Sequence, residues 1–195
     1  HERPGVYSSY DASTLVRGSG GHKTVGLTAI NSVADAGVPV MVTSYEAAVA
    51  AFGSQEGKQD MAELIRIALL NGAAAVVAVP VASEEGYEAA FETLGGVENI
   101  SVMLCDSADL TVQQALRDSV LSASAARRER IAVVGAAASE DVSALVERAK
   151  GLNCERVVLV APGSVDGEDT AQDGLSAAAA VAGAIAAQSD PAIPL

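Results

Sequence analysis

The sequence predicts an α/β domain of three layers, with helices on both faces of a mostly parallel sheet and extended segments at its N- and C-terminal ends. Apolar runs of strand length alternate with segments whose apolar residues recur at helical spacing. Four of the runs, 74–81, 101–105, 131–135 and 156–161, are unbroken stretches of mostly Val, Ile, Ala and Leu. Strands buried on one face alternate polar with apolar, whereas strands covered on both faces read as continuous apolar runs, as these do. Helix caps and breakers fall between the two kinds of segment, so the stops agree with the periods.

Taken in order, two lead-in strands are expected at 25–30 and 38–43, joined by the turn-like stretch 31–37. Thr43-Ser44-Tyr45-Glu46 has capping-box spacing, so a short helix should start there and end at Gly53 in the left-handed conformation. Met61, Leu64, Ile65, Ala68 and Leu69 fall at i, i+3, i+4, i+7 and i+8, one apolar stripe of a helix closed by Asn71-Gly72. From residue 74 the order is β-α-β-α-β-α-β-α. Val112, Ala115, Leu116 and Val120 repeat the helical stripe more loosely. Val142, Leu145, Val146 and Ala149 repeat it clearly, with Lys150-Gly151 as the stop. The last helix, 173–188, is rich in Ala and Gly. Leu175, Ala178, Ala179, Ala182, Gly183 and Ala186 give it a smooth face, suited either to packing tightly on its own sheet or to meeting another subunit.

Composition narrows the function classes. The 195 residues carry 25 acidic and 12 basic side chains, a net charge of −13. That balance excludes a nucleic-acid binder, whose affinity rests on Lys and Arg against phosphates. No apolar run approaches the ~20 residues of a membrane-spanning helix. The 39 Ala and 25 Val make up about a third of the chain, so the core must be aliphatic and light. Cys105 and Cys154 form no metal-ligand spacing and read as reduced small hydrophobes.

An α/β sheet invites a search for catalytic groups where ligands usually sit, beyond the carboxyl ends of the strands. Ser83-Glu84, Asp106-Ser107, Ser139-Glu140 and Ser164 with Asp166 fall there. Asp106 has two readings, a metal ligand or acid on one side and a helix N-cap or solvated residue on the other; capping or solvation is the stronger expectation for all four groups. The Gly-rich stretch 18–24 lacks the Gly before Lys23-Thr24 that a phosphate loop needs, and it precedes a strand instead of following one. His1 is terminal and His22 lies in that same loop, so no Ser has a packed base beside it. Asp166, Glu168 and Asp169 lack the spacing of a twelve-residue calcium loop. The residues therefore give catalysis nothing to stand on, and neither a cofactor nor a metal is expected.

Four stretches, in order, resemble the tail sheath proteins of contractile phage tails and related phage-derived particles. Pro4-Gly5-Val6-Tyr7 is similar to that family's N-terminal element. The stretch from Gly37 through Val38-Pro39-Val40-Met41-Val42-Thr43-Ser44 to Phe52-Gly53 resembles its proline-valine, threonine-serine and phenylalanine-glycine region. Residues 65–81, with Asn71-Gly72 leading into a valine run, resemble a third segment, with Ala68-Leu69-Leu70 in place of the family's aromatics and no Arg after the valines. Residues 177–195 resemble the passage from the family's core domain towards its C-terminal domain.

The resemblance implies an N-terminal arm over 1–24, a sheath core domain over 25–188, and at 189–195 the start of a linker to a C-terminal domain outside this sequence. It implies a structural subunit of stacked hexameric rings around a tail tube, whose contraction drives the tube through a host envelope. The implied partners are other copies of the chain, the tube protein, and the baseplate and tail terminator proteins, with no nucleic acid and no membrane insertion. The implied location is the tail of a virion or phage-like particle, made in the bacterial cytoplasm. Family arms add strands to neighbouring subunits, which makes Pro4, Gly5, Val6, Tyr7, Pro191, Ile193 and Leu195 the candidate subunit contacts. The reading that competes with it is a doubly wound α/β domain that binds a small molecule or nucleotide and acts as an enzyme.

Overall fold

The structure, a computed structural model, describes residues 24–55, 57–165 and 170–188. Its strands are β1 (Thr24–Ile30), β2 (Val40–Val42), β3 (Ala75–Val81), β4 (Ile100–Cys105), β5 (Ile131–Gly135), β6 (Val157–Val160), and a short hairpin of β7 (Ser164–Val165) and β8 (Ala171–Gln172). Its helices are α1 (Tyr45–Phe52), α2 (Met61–Leu70), α3 (Tyr87–Gly96), α4 (Leu110–Ala125), α5 (Val142–Leu152) and α6 (Leu175–Ala187). The candidate subunit contacts Pro4, Gly5, Val6, Tyr7, Pro191, Ile193 and Leu195 lie outside the described residues, as do His1, His22 and the acidic stretch 166–169.

The main sheet has six strands in the order β2-β3-β1-β4-β5-β6. All neighbours are parallel except β2, which runs antiparallel to β3. The five parallel strands follow the 2-1-3-4-5 order of flavodoxin-like sheets. Continuous apolar runs become strands that use both faces. In β3, Val76 and Ala78 join one core while Val77, Val79 and Val81 join the other. In β5, Val133 faces the first core, and Ala132 and Val134 the second. Helices α1, α2 and α6 cover the first face; α3, α4 and α5 lie on the second.

Close backbone approach between α2 and α6 explains the small residues of α6. A methyl group added at Gly183 would sit 2.3 Å from the Ala68 carbonyl oxygen. Gly72, with φ +110°, turns the chain out of α2, and a Cβ there would meet that of Ala187 at 2.7 Å. All six residues named for the smooth face of α6 are buried. That face is covered by the chain's own sheet and α2, which decides between its two readings.

Several expected boundaries shift. Ser44, not Thr43, caps α1, accepting from the Ala47 amide at 3.2 Å, because the helix starts one residue later than the capping-box spacing implied. Gly53 closes it as expected in place, but with φ +69° and ψ 178° it is not in the left-handed helical conformation. Lys150-Gly151 does not stop α5. The helix runs one residue further to Leu152, and Asn153 caps it in the left-handed conformation at φ 35°. The larger correction concerns the side α5 presents. Its stripe Val142, Val146 and Ala149 is exposed, Leu145 is half-buried, and the residues that turn inward are Arg148 and Leu152.

Candidate functional site

In an open parallel sheet a ligand binds beyond the carboxyl ends, at the point where the strand order reverses. Here β1 leads leftward to β3, and β3 crosses back to β4, so that point lies between the ends of β1 and β4. Asp106, the residue after β4, occupies it. Its backbone amide donates to the Thr28 carbonyl at 3.1 Å. Its carboxylate accepts from the Ile30 amide at 2.9 Å through Oδ2, and from the Tyr87 hydroxyl at 2.5 Å through Oδ1. Tyr87 opens α3, is buried, and stacks on Phe91 with ring centroids 5.8 Å apart.

Both carboxylate oxygens therefore tie β1, β4 and α3 together across the crevice. Burial pushes the Asp106 carboxyl above the usual range, opposed by the hydrogen bonds from Tyr87 and Ile30. Burial, then the Asp106 charge, pushes the Tyr87 hydroxyl up as well, so it stays protonated and donates. Asp106 is neither the metal ligand or acid nor the N-cap that its position suggested. Among the described residues no group of three or more His, Cys, Asp or Glu is arranged to hold a metal.

A second polar network fills the space between the ends of β4 and β5. Arg148 reaches in from α5 and grips Glu140 at 2.7 and 3.0 Å, a two-oxygen contact that fixes both planes. Its remaining nitrogen donates to the Ala108 carbonyl at 2.8 Å and to Gln113 Oε1 at 3.0 Å. Gln113, fully buried on α4, passes the connection on by donating to the carbonyls of Ser107 at 3.0 Å and Gly135 at 2.8 Å. The Arg148 hydrogen bond holds the Glu140 carboxyl below its ordinary value. Asp173 completes the closure, accepting from the Ala138 amide at 2.7 Å.

Of the four groups expected to cap or be solvated, Ser83 and Glu84 are exposed to solvent, Asp166 lies outside the described residues, and Asp106, Glu140 and Ser164 take other roles. Ser83 makes no side-chain cap bond, Glu140 is ion-paired, and Ser164 joins the hairpin. The acidic caps are Asp109 for α4 and Asp141 for α5, each one to three residues beyond a named group, and Asp60 for α2, ahead of them all. Ser107 positions one of them, accepting from the Asp109 amide at 3.1 Å. Sequence reasoning missed Tyr87, Gln113 and Arg148, whose partners lie 6 to 40 residues away with no periodic spacing. It also missed Arg130, buried under α3, which donates to the Leu94 carbonyl at 2.8 Å and to that of Val97. Arg130 satisfies carbonyls at a helix C-terminus, where a cation is favoured.

Away from the strand ends, a groove of about 480 Å³ runs between α3 and α4, with Phe91 and Ala115 in its lining and Glu88, Glu92, Asp118 and Arg128 around it. Cys105 lies inside the second core, its thiol pushed up to about 12 by burial, and so is no nucleophile. No helix among the described residues is long and apolar enough to cross a membrane.

No protein-family model matches the chain, and no curated protein sequence does. Solved structures do. The sheath tail protein of Desulfitobacterium hafniense superposes with a TM-score of 0.65 at 12% identity, over 94% of this chain and 62% of that one. The contracted helical sheath of the anti-feeding prophage gives 0.60 at 18%, over 95% and 53%. The contracted sheath complex of an extracellular contractile injection system gives 0.62 at 13%, over 95% and 51%. The chain therefore shares its fold with tail sheath and injection-system sheath proteins, and it spans about half to three fifths of their length.

Proposed function

We propose that this chain is the α/β core of a contractile tail sheath subunit, a structural protein and not an enzyme. The observation that carries the reading is the superposition of nearly the whole chain on sheath proteins, at TM-scores of 0.60 to 0.65. The four sequence stretches point to the same family. In this reading copies stack as hexameric rings around a tail tube, and contraction drives the tube through the host envelope. The two end segments, with Pro4, Gly5, Val6 and Tyr7 on one side and Pro191, Ile193 and Leu195 on the other, would link neighbouring copies by adding strands. Tube, baseplate and terminator proteins are the further partners, in a tail particle made in the bacterial cytoplasm.

The doubly wound enzyme reading shares the strand order. Its ligand crevice, however, is bridged by Asp106 and Tyr87, and the neighbouring strand ends are closed by Gln113 and Arg148, each hydrogen-bonded within the chain. Mass spectrometry of tubular particles pelleted from the source organism tests the sheath reading. Peptides of this chain at a stoichiometry matching the main tube-forming proteins are expected. Their absence from such particles, with the chain found only in the supernatant, overturns it.

A further inference from the structure

The Gly-rich stretch ahead of β1 is no phosphate loop, yet its surroundings stand apart from the rest of the chain. Residues 12–23, outside the described residues, hold Arg17, His22 and Lys23 and no acidic side chain, in a chain with 25 acidic and 12 basic groups. Leu15 and Val16 are the large apolar side chains among them. The fold fixes where this stretch arrives. It joins β1 at Thr24, which pairs with Ala75 and Ile100, the first residues of β3 and β4. That is the edge of the sheet at which all five parallel strands begin.

The groove between α3 and α4 reaches the same edge. α3 leads into β4 and α4 into β5, so Gly95 and Ala126 mark the end of the groove nearest the strand starts. Arg130, one residue before β5, holds that end in place by donating to the Leu94 carbonyl at 2.8 Å. The groove exists because α4 presents Ala115, Ser119, Ser122 and Ala126, all small, along its length. At about 480 Å³ it has the size of a ligand cleft. Phe91 and Ala123 give it an apolar floor. Glu88 and Glu92 form its wall, one turn apart and exposed, with no ion-pair partner among the described residues. Like charges at that spacing repel. Asp118 adds a third carboxylate, and the cation in the lining, Arg128, is engaged by the Gly95 carbonyl.

We infer that residues 15–17 of this chain occupy the groove, with Leu15 and Val16 on its apolar floor and Arg17 against Glu88 and Glu92. Occupant and groove both belong to the chain, so the inference goes beyond the sheath reading and needs nothing from it. Length permits the contact. Seven residue steps separate Arg17 from Thr24. They span at most ~25 Å when extended, and the helix layer to be passed is about 10–12 Å thick. Charge selects the site: a stretch whose ionisable groups are all basic meets a wall of carboxylates. Exposed ion pairs are weak alone, so burial of Leu15 and Val16 supplies most of the hold. The contact sets the face of the domain from which residues 1–14 leave it.

Disulfide trapping in the full chain tests this, in a Cys154→Ser background that leaves Cys105 buried in the core. One variant combines Val16→Cys with Ser122→Cys in the groove. The other combines Val16→Cys with Leu70→Cys, at the end of α2, on the same edge of the sheet but its opposite face. Ser122 and Leu70 are exposed, so melting temperatures should match the parent. After oxidation at low protein concentration, the monomer is mapped by mass spectrometry. The groove pair should close within one chain about tenfold faster than the Leu70 pair, because docking raises the local concentration. Adding Arg17→Glu should slow the groove pair about three- to fivefold, and further adding Glu88→Lys and Glu92→Lys should restore it. Equal rates for the two pairs overturn the inference. So does a groove disulfide found only between two chains, which gives the groove to another copy. A rate unmoved by Arg17→Glu overturns it too, since charge then plays no part in choosing the site. The sheath reading is decided separately, by particle composition.

Discussion

Helices α5 and α6 look alike in the sequence and behave oppositely in the fold. Each carries an aliphatic stripe at helical spacing; α5 follows β5 of the parallel sheet, and α6 follows the β7-β8 hairpin and packs back on that sheet. In α6 all six stripe residues are buried, and the fit is so close that Gly183 touches the backbone of α2. In α5 the stripe looks outward, while a charged side chain, Arg148, goes in. A period of 3.6 states that a helix has an apolar face; it does not state which body covers that face. The inward side of α5 was claimed by the Glu140 and Gln113 network at the strand ends, leaving the valines for another surface.

The largest test of this contrast is on the closed side. Gly183→Ala places a methyl group 2.3 Å from the Ala68 carbonyl oxygen, which belongs to backbone and cannot swing away. A loss of about 3 kcal/mol in unfolding free energy is expected by urea denaturation, at the upper end of overpacking costs. A loss below about 0.5 kcal/mol would mean that α2 and α6 are free to separate.

Arg148→Ala comes next, because it strands Glu140 and the Gln113 carbonyl oxygen in a nearly closed site. The expected loss is about 3 kcal/mol, and Arg148→Met with Glu140→Gln should recover much of it, since removing both charges leaves none unpaired. The pH dependence has a fixed sign. Glu140 is held below its ordinary value in the fold, so its contribution is present above the unfolded value and is lost as pH falls through the folded one. The single variant should therefore differ most from the parent at neutral pH and least in strong acid.

Asp106 has the opposite sign. Its carboxyl is raised in the fold, so its favourable share is fully present below the ordinary aspartate value and is lost as pH rises through the folded one. Asp106→Asn keeps an acceptor for the Ile30 amide and offers Tyr87 a donor in place of a negative charge. The variant should fold, and its stability relative to the parent should rise from acid to neutral pH in melting curves. A difference that stays flat with pH would show that the Asp106 carboxyl titrates at the same value folded and unfolded.

What the sequence made legible follows the same division. Continuous valine runs gave the parallel sheet, and the α2 stripe of Met61, Leu64, Ile65 and Ala68 turned inward as its spacing implied. Those features depend on neighbours three or four residues away, or on a strand's two faces. The closure of the strand ends depends on partners such as Arg148 and Gln113, 35 residues apart, or Tyr87 and Asp106, 19 apart. Nothing periodic links them. Asp106 was singled out by its place after a strand, yet its role was set by Tyr87, which no motif marked. The inward smooth face of α6 was named residue by residue, while its partner, the α2 backbone, became evident only in three dimensions.

The smallest expected effect separates α5 from α6 most cleanly. Val142→Ser and Val146→Ser on α5 should each change the stability of the isolated chain by less than about 0.5 kcal/mol, as exposed substitutions do. Ser and Val differ little in helix propensity, so the measurement reports packing alone. The matching change on α6, Ala182→Ser, places a hydroxyl in a fully buried site and should cost about 1–2 kcal/mol. If the α5 valines prove as sensitive as Ala182, their stripe is packed within the chain and its outward face has no partner to explain. If they are silent in the monomer but alter sedimentation at high concentration, their apolar surface is stabilised by association between copies, and the same spacing of valines serves assembly in one helix and folding in the other.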